Sequence, residues 1–96
     1  RNVCVFADGE VDRSPTGTGV SARLAIHRAR GEIGVDEEIV IESLIGSRFS
    51  GRVVRDTGFG SHRAVIPEVQ GHAHITGRHE FVLDPADELR HGFILR

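Results

Sequence analysis

The chain has 96 residues, of which 39% are hydrophobic and 27% charged, and its formal net charge is −2. This length and composition are typical of one globular domain, which we expect over residues 1–96. The charge gives no long-range attraction to nucleic acid, and no apolar run approaches the roughly 20 residues of a membrane span, so we expect neither partner. Cys4 is the single cysteine, which excludes an internal disulfide and a multi-cysteine zinc module.

The first residues predict a short strand. Residues 3–6 (VCVF) form an apolar run typical of a buried strand, and turn residues at 7–9 close it. Within this strand we expect Cys4 to be buried and unreactive. The sequence contains no methionine, and no targeting pattern stands ahead of the strand. We therefore expect the chain to be a piece of a longer, cytoplasmic protein.

The next segment predicts a helix that begins after Ser14 and ends near Arg30. Ser14 is a good N-cap, and Pro15 suits the first helical position because its missing N–H needs no partner there. Gly31 fits the C-terminal cap. One side of this helix carries Thr18, Ala22, Ala25, Ile26 and Ala29, and the other side carries Val20 and Leu24. Apolar residues on both sides predict a largely buried helix.

After residue 34 the pattern changes to period two with β-branched residues, which is typical of strands. The predicted strands cover residues 38–43, 48–55, 62–69, 72–76 and 80–84. A hairpin loop is predicted at residues 56–60, and Pro67 predicts an edge strand or a bulge because proline cannot donate to a sheet. We expect an α+β fold in which about five antiparallel strands surround one buried central helix.

The start of the predicted helix is the most informative segment for function. If Ser14 caps the helix, the N–H groups of Thr16, Gly17 and Thr18 lack intrahelical partners. With the positive end of the helix dipole, these groups form a site for a carboxylate or a phosphate. Asp12 lies just before the helix and suits a cationic group on the same ligand. This combination predicts an amino-acid site, and the alternative is that Asp12 and Ser14 only cap a structural helix.

The same glycines also allow a nucleotide-binding interpretation. Residues 17–22 match the pattern G-x-G-x-x-A, and Glu42 follows an apolar run, as in a dinucleotide-binding unit. That unit needs a strand almost directly before its first glycine. Here ten residues separate Phe6 from Gly17, so this interpretation is the less favoured one.

Histidines offer a third hypothesis. His72 and His74 alternate on one predicted strand, with His79 and Glu80 nearby, and such a pair suits a metal ion. The alternative is that both are half-exposed strand residues, and we favour a chain without a metal. The remaining histidines have no evident partners and are expected at the surface; they are His27, His62 and His91.

Four motifs, in order along the chain, resemble the proline racemase family. They are residues 12–23 (DRSPTGTGVSAR), 42–51 (ESLIGSRFSG), 66–71 (IPEVQG) and 92–95 (GFIL). Members of this family are several-fold longer, and the chain is similar to their C-terminal portion. The resemblance implies a diaminopimelate-epimerase-like fold with two lobes, each a sheet wrapped around a central helix. It also implies a substrate bound between the two helix N-termini, without a cofactor.

The resemblance is closest at position 16, where it implies a particular chemistry. Racemases and epimerases of the family place one Cys at each helix start, and Thr16 occupies the second of these positions. Thr at this position resembles family members that dehydrate trans-3-hydroxy-L-proline. An aliphatic hydroxyl ionises too weakly to remove an α-proton, so inversion by two bases would fail, whereas elimination of water needs only one base. We expect Thr16 to hydrogen-bond the substrate, and a Cys of the N-terminal lobe to act as the base.

The resemblance also implies the roles of the neighbouring residues. Asp12 would contact the ring nitrogen, the N–H groups of Gly17 and Thr18 would bind the carboxylate, and Phe6 would form a wall of the ring pocket. The expected activity is conversion of trans-3-hydroxy-L-proline to Δ1-pyrroline-2-carboxylate. The alternatives are a relative of proline racemase or 4-hydroxyproline epimerase, and a non-catalytic imino-acid-binding fragment. The expected partners are an imino acid, the N-terminal lobe and a second copy of the chain in a homodimer.

Overall fold

The computed structural model describes residues 1–95, which form one helix and a three-stranded antiparallel sheet. A short 3-10 turn at Ala7–Gly9 precedes α1 at Gly17–Ala29. The strands are β1 at Ile39–Glu42, β2 at Arg48–Phe59 and β3 at His62–Gln70, in the order β1-β2-β3. The α+β class and the central helix are as predicted, but the sheet has three strands where about five were expected.

The predicted strand at residues 3–6 is wrong. Only Val5 pairs there, in an isolated bridge with Val11, and the chain between them turns back on itself. Val3 and Phe6 are more than half exposed. Four residues without a neighbouring strand do not form a ladder, whatever their β-propensity.

The two ends of α1 differ in how well local residue types predict them. The C-terminal end is confirmed: the N–H of Gly31 donates to the Arg28 carbonyl at 3.1 Å, and that of Glu32 donates to the His27 carbonyl at 2.9 Å. This pair of bonds is a Schellman motif, and Gly31 has the positive φ of 71° that the motif requires. The N-terminal end is corrected, because the N-cap is Thr16 and the helix begins at Gly17.

The hairpin between β2 and β3 is longer than predicted. The expected loop at residues 56–60 is wrong, because β2 continues to Phe59, which pairs with His62. A tight turn at residues 60–61 replaces it, and Gly60 adopts a φ of 58° there. Pro67 is confirmed in an edge strand. It faces Val53, where the register between the two strands shifts.

The core lies between one side of α1 and the sheet. Its buried side chains are Val20, Leu24, Ile33, Ile41 and Val53. Gly51 on β2 is where the helix comes closest to the sheet. A β-carbon at this position would lie 2.9 Å from Cδ1 of Leu24 and 3.2 Å from Cγ1 of Val20. The helix therefore packs directly on a glycine of the middle strand.

The other side of α1 is exposed, so the expectation of a largely buried helix is wrong for this chain. Ile26 is 49% exposed, and Thr18, Ala22 and Ala29 are exposed as well. Only its C-terminal part approaches the sheet, where Ala25 and Ala29 line a small cleft together with residues of β2 and β3. The helix has apolar residues on two sides, but the three strands cover only one of them.

Residues 71–95 contain no helix or strand. The strands predicted at 72–76 and 80–84 are therefore wrong, although the first segment alternates and the second contains the apolar run Phe81, Val82 and Leu83. Their apolar side chains are exposed, including Ile75 at 92% and Phe81 at 91%. Backbone groups in a strand need a neighbouring strand, and the described chain offers none to these segments. No helix in the described part of the chain is long and apolar enough to cross a bilayer.

Candidate functional site

The loop before α1 is organised around the carboxylate of Asp12. Its Oδ1 accepts a hydrogen bond from the Ser14 N–H at 2.8 Å, and its Oδ2 accepts one from the Thr16 hydroxyl at 3.0 Å. The Asp12 N–H donates to the Cys4 carbonyl at 2.9 Å, which fixes the carboxylate from the other side. Asp12 and Thr16, both predicted from the sequence as site residues, are thus in direct contact.

These hydrogen bonds keep the Asp12 side chain charged. The Ser14 backbone N–H, then the Ser14 side chain and the Thr16 hydroxyl, lower the pKa of Asp12 below its ordinary value of 3.8. Because the folded-state pKa is the lower one, the carboxylate stabilises the loop at all pH values above about 3.8. That stabilisation is lost as the pH falls through the folded-state pKa. At neutral pH the site therefore holds an anion beside the helix tip.

The N–H groups at the start of α1 are free to bind a ligand. The first helical hydrogen bond runs from the Val20 N–H to the Thr16 carbonyl at 2.9 Å. Within residues 1–95, the N–H groups of Gly17, Thr18 and Gly19 have no hydrogen-bond partner. The Thr16 N–H, which was expected to be free, instead donates to Oγ of Ser14 at 3.1 Å. The free donors thus lie one residue later than predicted.

Solvent reaches this helix tip directly. Gly17 and Thr18 are exposed, and a β-carbon at Gly17 would meet no heavy atom within 4 Å. Three convergent N–H groups at the positive end of a helix dipole attract a carboxylate or a phosphate. A cleft of about 410 Å³ runs along the tip, with Thr16, Thr18 and Cys4 in its wall. Cys4 is half-buried in this wall rather than buried in a strand.

Thr16 has an unfavourable backbone conformation. Its φ is 67° and its ψ is 116°, a region that β-branched residues rarely occupy. Such a conformation costs on the order of 1–3 kcal/mol and persists only where the surroundings impose it. Here the Thr16 N–H is bound by Ser14 and its hydroxyl by Asp12. These contacts hold the hydroxyl at the base of the helix tip.

Two serines that the sequence analysis missed support the loop from the sheet. Ser43 is fully buried directly after β1; its Oγ accepts a hydrogen bond from the Ser47 N–H at 3.1 Å and lies 2.7 Å from the hydroxyl oxygen of Ser47. Oγ of Ser47 also contacts the carbonyl of Arg13. The β1–β2 turn therefore anchors the loop that carries Asp12. The sequence offered one indication of this support, namely that a polar residue, Ser43, directly follows the apolar run of β1.

The other predicted ligand residues lie away from the helix tip. Phe6 is 54% exposed, so within residues 1–95 it does not enclose a ring pocket. His72 and His74 line an open groove of about 730 Å³ that Asp12 and Ser14 of the loop also line. No group of three His, Cys, Asp or Glu side chains in the described chain is arranged to hold a metal ion. His27, expected to lack partners, contacts Glu32.

The dinucleotide interpretation is wrong. Within residues 1–95 no strand precedes α1, and β1, which follows it, pairs antiparallel with β2. A dinucleotide-binding unit needs parallel strands on both sides of its helix. The glycines at 17 and 19 instead leave the helix tip open.

Known proteins that are similar to this chain indicate its family. A family model described as proline racemase matches residues 1–94. The chain belongs to the proline racemase family. A relative from Colwellia psychrerythraea, named trans-3-hydroxy-L-proline dehydratase, is 50% identical over all 96 residues, which cover 27% of that relative. A proline racemase of Clostridioides difficile is 49% identical over the whole chain, which covers 29% of it.

A solved structure of the proline racemase family has the same fold over nearly all of the chain. It is a hydroxyproline epimerase from Agrobacterium vitis with bound trans-4-hydroxy-L-proline. The match has a TM-score of 0.77 and 39% identity, and it covers 97% of this chain and 27% of the epimerase. The chain thus spans between 27% and 29% of the length of these relatives.

Proposed function

We propose that the chain is the C-terminal part of a trans-3-hydroxy-L-proline dehydratase that works without a cofactor. In this proposal the complete protein has the two-lobed, diaminopimelate-epimerase-like fold, and this chain supplies the half of the active site that contains Thr16. The observation that carries the proposal is a threonine hydroxyl bound to Asp12, directly beside unpaired N–H groups. An imino acid has a carboxylate, a ring ammonium and, in this substrate, a hydroxyl to match them.

The helix tip would bind the substrate by charge and hydrogen bonds. The N–H groups of Gly17 and Thr18 donate to the carboxylate, where negative charge grows as the α-proton leaves. The charged carboxylate of Asp12 accepts from the ring ammonium, since each of its oxygens has a lone pair beyond those used by Ser14 and Thr16. Substrate binding thus requires no rearrangement of the loop.

The role of Thr16 follows from the direction of its hydrogen bond. Its single hydroxyl proton is donated to Asp12, so its oxygen faces a ligand as an acceptor. It can therefore accept a hydrogen bond from the 3-hydroxyl of the substrate, but it cannot serve as a base at neutral pH. The α-proton must be removed by a group outside this chain, and a Cys of the N-terminal lobe is the base we propose.

The reaction is then a β-elimination. The base takes the proton from Cα, the electron pair forms the Cα–Cβ double bond, and the bond from Cβ to the hydroxyl oxygen breaks. The hydroxyl takes a proton from solvent and leaves as water, and the base afterwards returns its proton to solvent, so the net change is the loss of one water molecule. The resulting enamine moves one proton from nitrogen to carbon and becomes Δ1-pyrroline-2-carboxylate, which needs no catalyst.

Epimerisation or racemisation is the second candidate. The epimerase structure and the racemase relative are both similar along nearly the whole chain, so overall similarity does not separate these activities. Inversion needs a second base on the opposite face of Cα. Thr16 stands where that base would lie, and this difference favours elimination.

The complete protein should be incubated with trans-3-hydroxy-L-proline, trans-4-hydroxy-L-proline and L-proline in D₂O. We expect NMR to show the imine only from the 3-hydroxy compound, and chiral chromatography to show no inversion of the other two. Thr16→Cys should gain detectable inversion, and Thr16→Ser, the matched control, should gain none. Inversion of proline by the unchanged protein would contradict the proposal.

A further inference from the structure

The peptide group that joins Pro15 to Thr16 is held at both of its polar ends by side chains. Its carbonyl oxygen accepts a hydrogen bond from Nδ2 of Asn2 at 3.3 Å, and its N–H donates to Oγ of Ser14 at 3.1 Å. A peptide group is planar, so these two contacts fix its rotation. They thereby fix the direction in which the chain enters Thr16 and the first turn of α1.

Asn2 is in turn held from two sides. Its Oδ1 accepts a hydrogen bond from Nη1 of Arg23 at 3.0 Å, and its backbone N–H donates to the Glu42 carbonyl at 2.8 Å. An arginine can only donate and a carbonyl can only accept, so Arg23 and Pro15 together determine which way the amide of Asn2 points. Arg23 thus fixes the orientation in which Asn2 reaches the loop.

Arg23 is itself constrained along the helix. Its Nη1 also donates to the Arg1 carbonyl at 3.3 Å, and its Nε donates to Nε2 of His27 at 3.4 Å. The guanidinium therefore spans from the second turn of α1 to the residues that precede the loop. Neither Asn2 nor Arg23 belongs to the buried core, which consists of Val20, Leu24, Ile33, Ile41 and Val53.

We propose that Asn2 and Arg23 are positioning residues for the helix-tip site. Asn2 holds the Pro15–Thr16 peptide so that Thr16 keeps its unfavourable conformation, and Arg23 holds Asn2. The N–H groups of Gly17 and Thr18 and the Thr16 hydroxyl are then aimed at one ligand. This inference rests on the proposed function for its effect on turnover, but its effect on the loop is independent of it.

The test is the substitution Asn2→Asp in the complete protein. Aspartate has nearly the same shape and still accepts from Arg23, but it cannot donate to the Pro15 carbonyl. We expect kcat for trans-3-hydroxy-L-proline to fall about 10- to 100-fold, as for misplaced catalytic groups, with KM changed by less than about threefold. Arg90→Ala is the matched control, because it changes the net charge by the same amount and the Arg90 side chain contacts the Asp87 carbonyl, away from the loop; it should leave kcat unchanged.

A second readout does not depend on activity. With ¹⁵N-labelled threonine and glycine, Asn2→Asp should move the amide resonances of Thr16 and Gly17, and Arg90→Ala should leave them in place. A purely structural role would reduce the fraction of folded protein without moving these resonances. If the unchanged protein dehydrates no imino acid but the resonances still move in Asn2→Asp, the proposed function fails and the positioning role stands.

Arg23→Lys keeps the charge but loses the contacts that a guanidinium makes in several directions at once. We expect a smaller fall in kcat, about three- to tenfold, and smaller shifts of the same two resonances. If Asn2→Asp does not fold, Arg23→Lys decides the matter with the same measurements. Unchanged kcat and unchanged amide resonances, in whichever of the two variants folds, would overturn the inference.

Discussion

The two sides of α1 have similar apolar content but opposite environments. Val20 and Leu24 are fully buried against the sheet, whereas Ile26 is 49% exposed and Ala22 is exposed on the other side. The buried side faces Gly51, which lets the helix approach the middle strand closely. Most of the exposed side faces no element of the described chain. Burial is therefore decided by what lies opposite a side chain, and apolar periodicity alone does not reveal that.

The largest expected effect on stability comes from shortening a side chain on the buried side of α1. Leu24→Ala in the complete protein should lower the free energy of unfolding by about 2–5 kcal/mol, since it removes a fully buried side chain and leaves a cavity. Ile26→Ala, on the exposed side of the same helix, should cost no more than about 1 kcal/mol. Urea unfolding of both variants measures the difference. An equal loss at the two positions would mean that the exposed side is covered by residues outside this chain.

A smaller effect is expected from adding a methyl group where the helix meets the sheet. Gly51→Ala places a β-carbon 2.9 Å from Leu24, which the packed helix must move to accommodate. Overpacking of this kind costs about 1–3 kcal/mol. Gly58→Ala on the same strand is the control, because its nearest neighbour would be 3.9 Å away. If thermal unfolding finds the two variants equally stable, the helix does not lie as closely on β2 as described.

The smallest effect concerns the ion pair between the end of α1 and β2. Nε and Nη2 of Arg28 donate to the two oxygens of Asp56 at 2.9 and 2.6 Å, and these bonds lower the pKa of Asp56 below 3.8. The pair therefore stabilises the fold above about pH 3.8, and this contribution disappears as the pH falls through the folded-state pKa of Asp56. Both side chains are partly exposed, so salt should weaken the effect.

Asp56→Asn should lower the thermal midpoint slightly at pH 7 and leave it unchanged near pH 2. Glu88→Gln, at an exposed carboxylate in residues 71–95, is the control and should change neither value. A midpoint difference for Asp56→Asn that persisted at pH 2 would show that the side chain acts by something other than its charge.

Local sequence predicts those features of the fold that local contacts determine. Gly31 ends the helix as predicted because its neighbours in sequence form the Schellman motif. The loop predicted at residues 56–60 is wrong because β3 pairs with this segment, so that Asp56 faces Val65 and Phe59 faces His62. The strands predicted at 72–76 and 80–84 fail because they have no neighbour in the described chain. Strand propensity is local, but strand formation needs a partner.

The candidate site likewise combines residues that are close in sequence with residues that are distant in sequence. Asp12, Thr16 and Gly17 are close neighbours along the chain, so their types and spacing are enough to indicate an anion site. Asn2 and Ser47, which support the loop, come from 13 and 34 residues away. Asn2 belongs to no motif, and although Ser47 lies in the motif at residues 42–51, nothing in that motif indicates a contact with the loop. The residues predicted to contact a ligand are thus recognisable from sequence, and the residues that orient them are not.

The positive φ of Thr16 lowers the stability of the loop, while the side chain at the same position supplies the hydroxyl of the candidate site. Glycine adopts this conformation without the steric cost that threonine bears, so Thr16→Gly would relieve the loop while removing the hydroxyl. A library selected only for resistance to heat would be enriched in glycine here, and its survivors would be poor catalysts. Threonine at position 16 therefore lowers the stability of the loop and, in the proposed function, supplies a hydroxyl that glycine lacks.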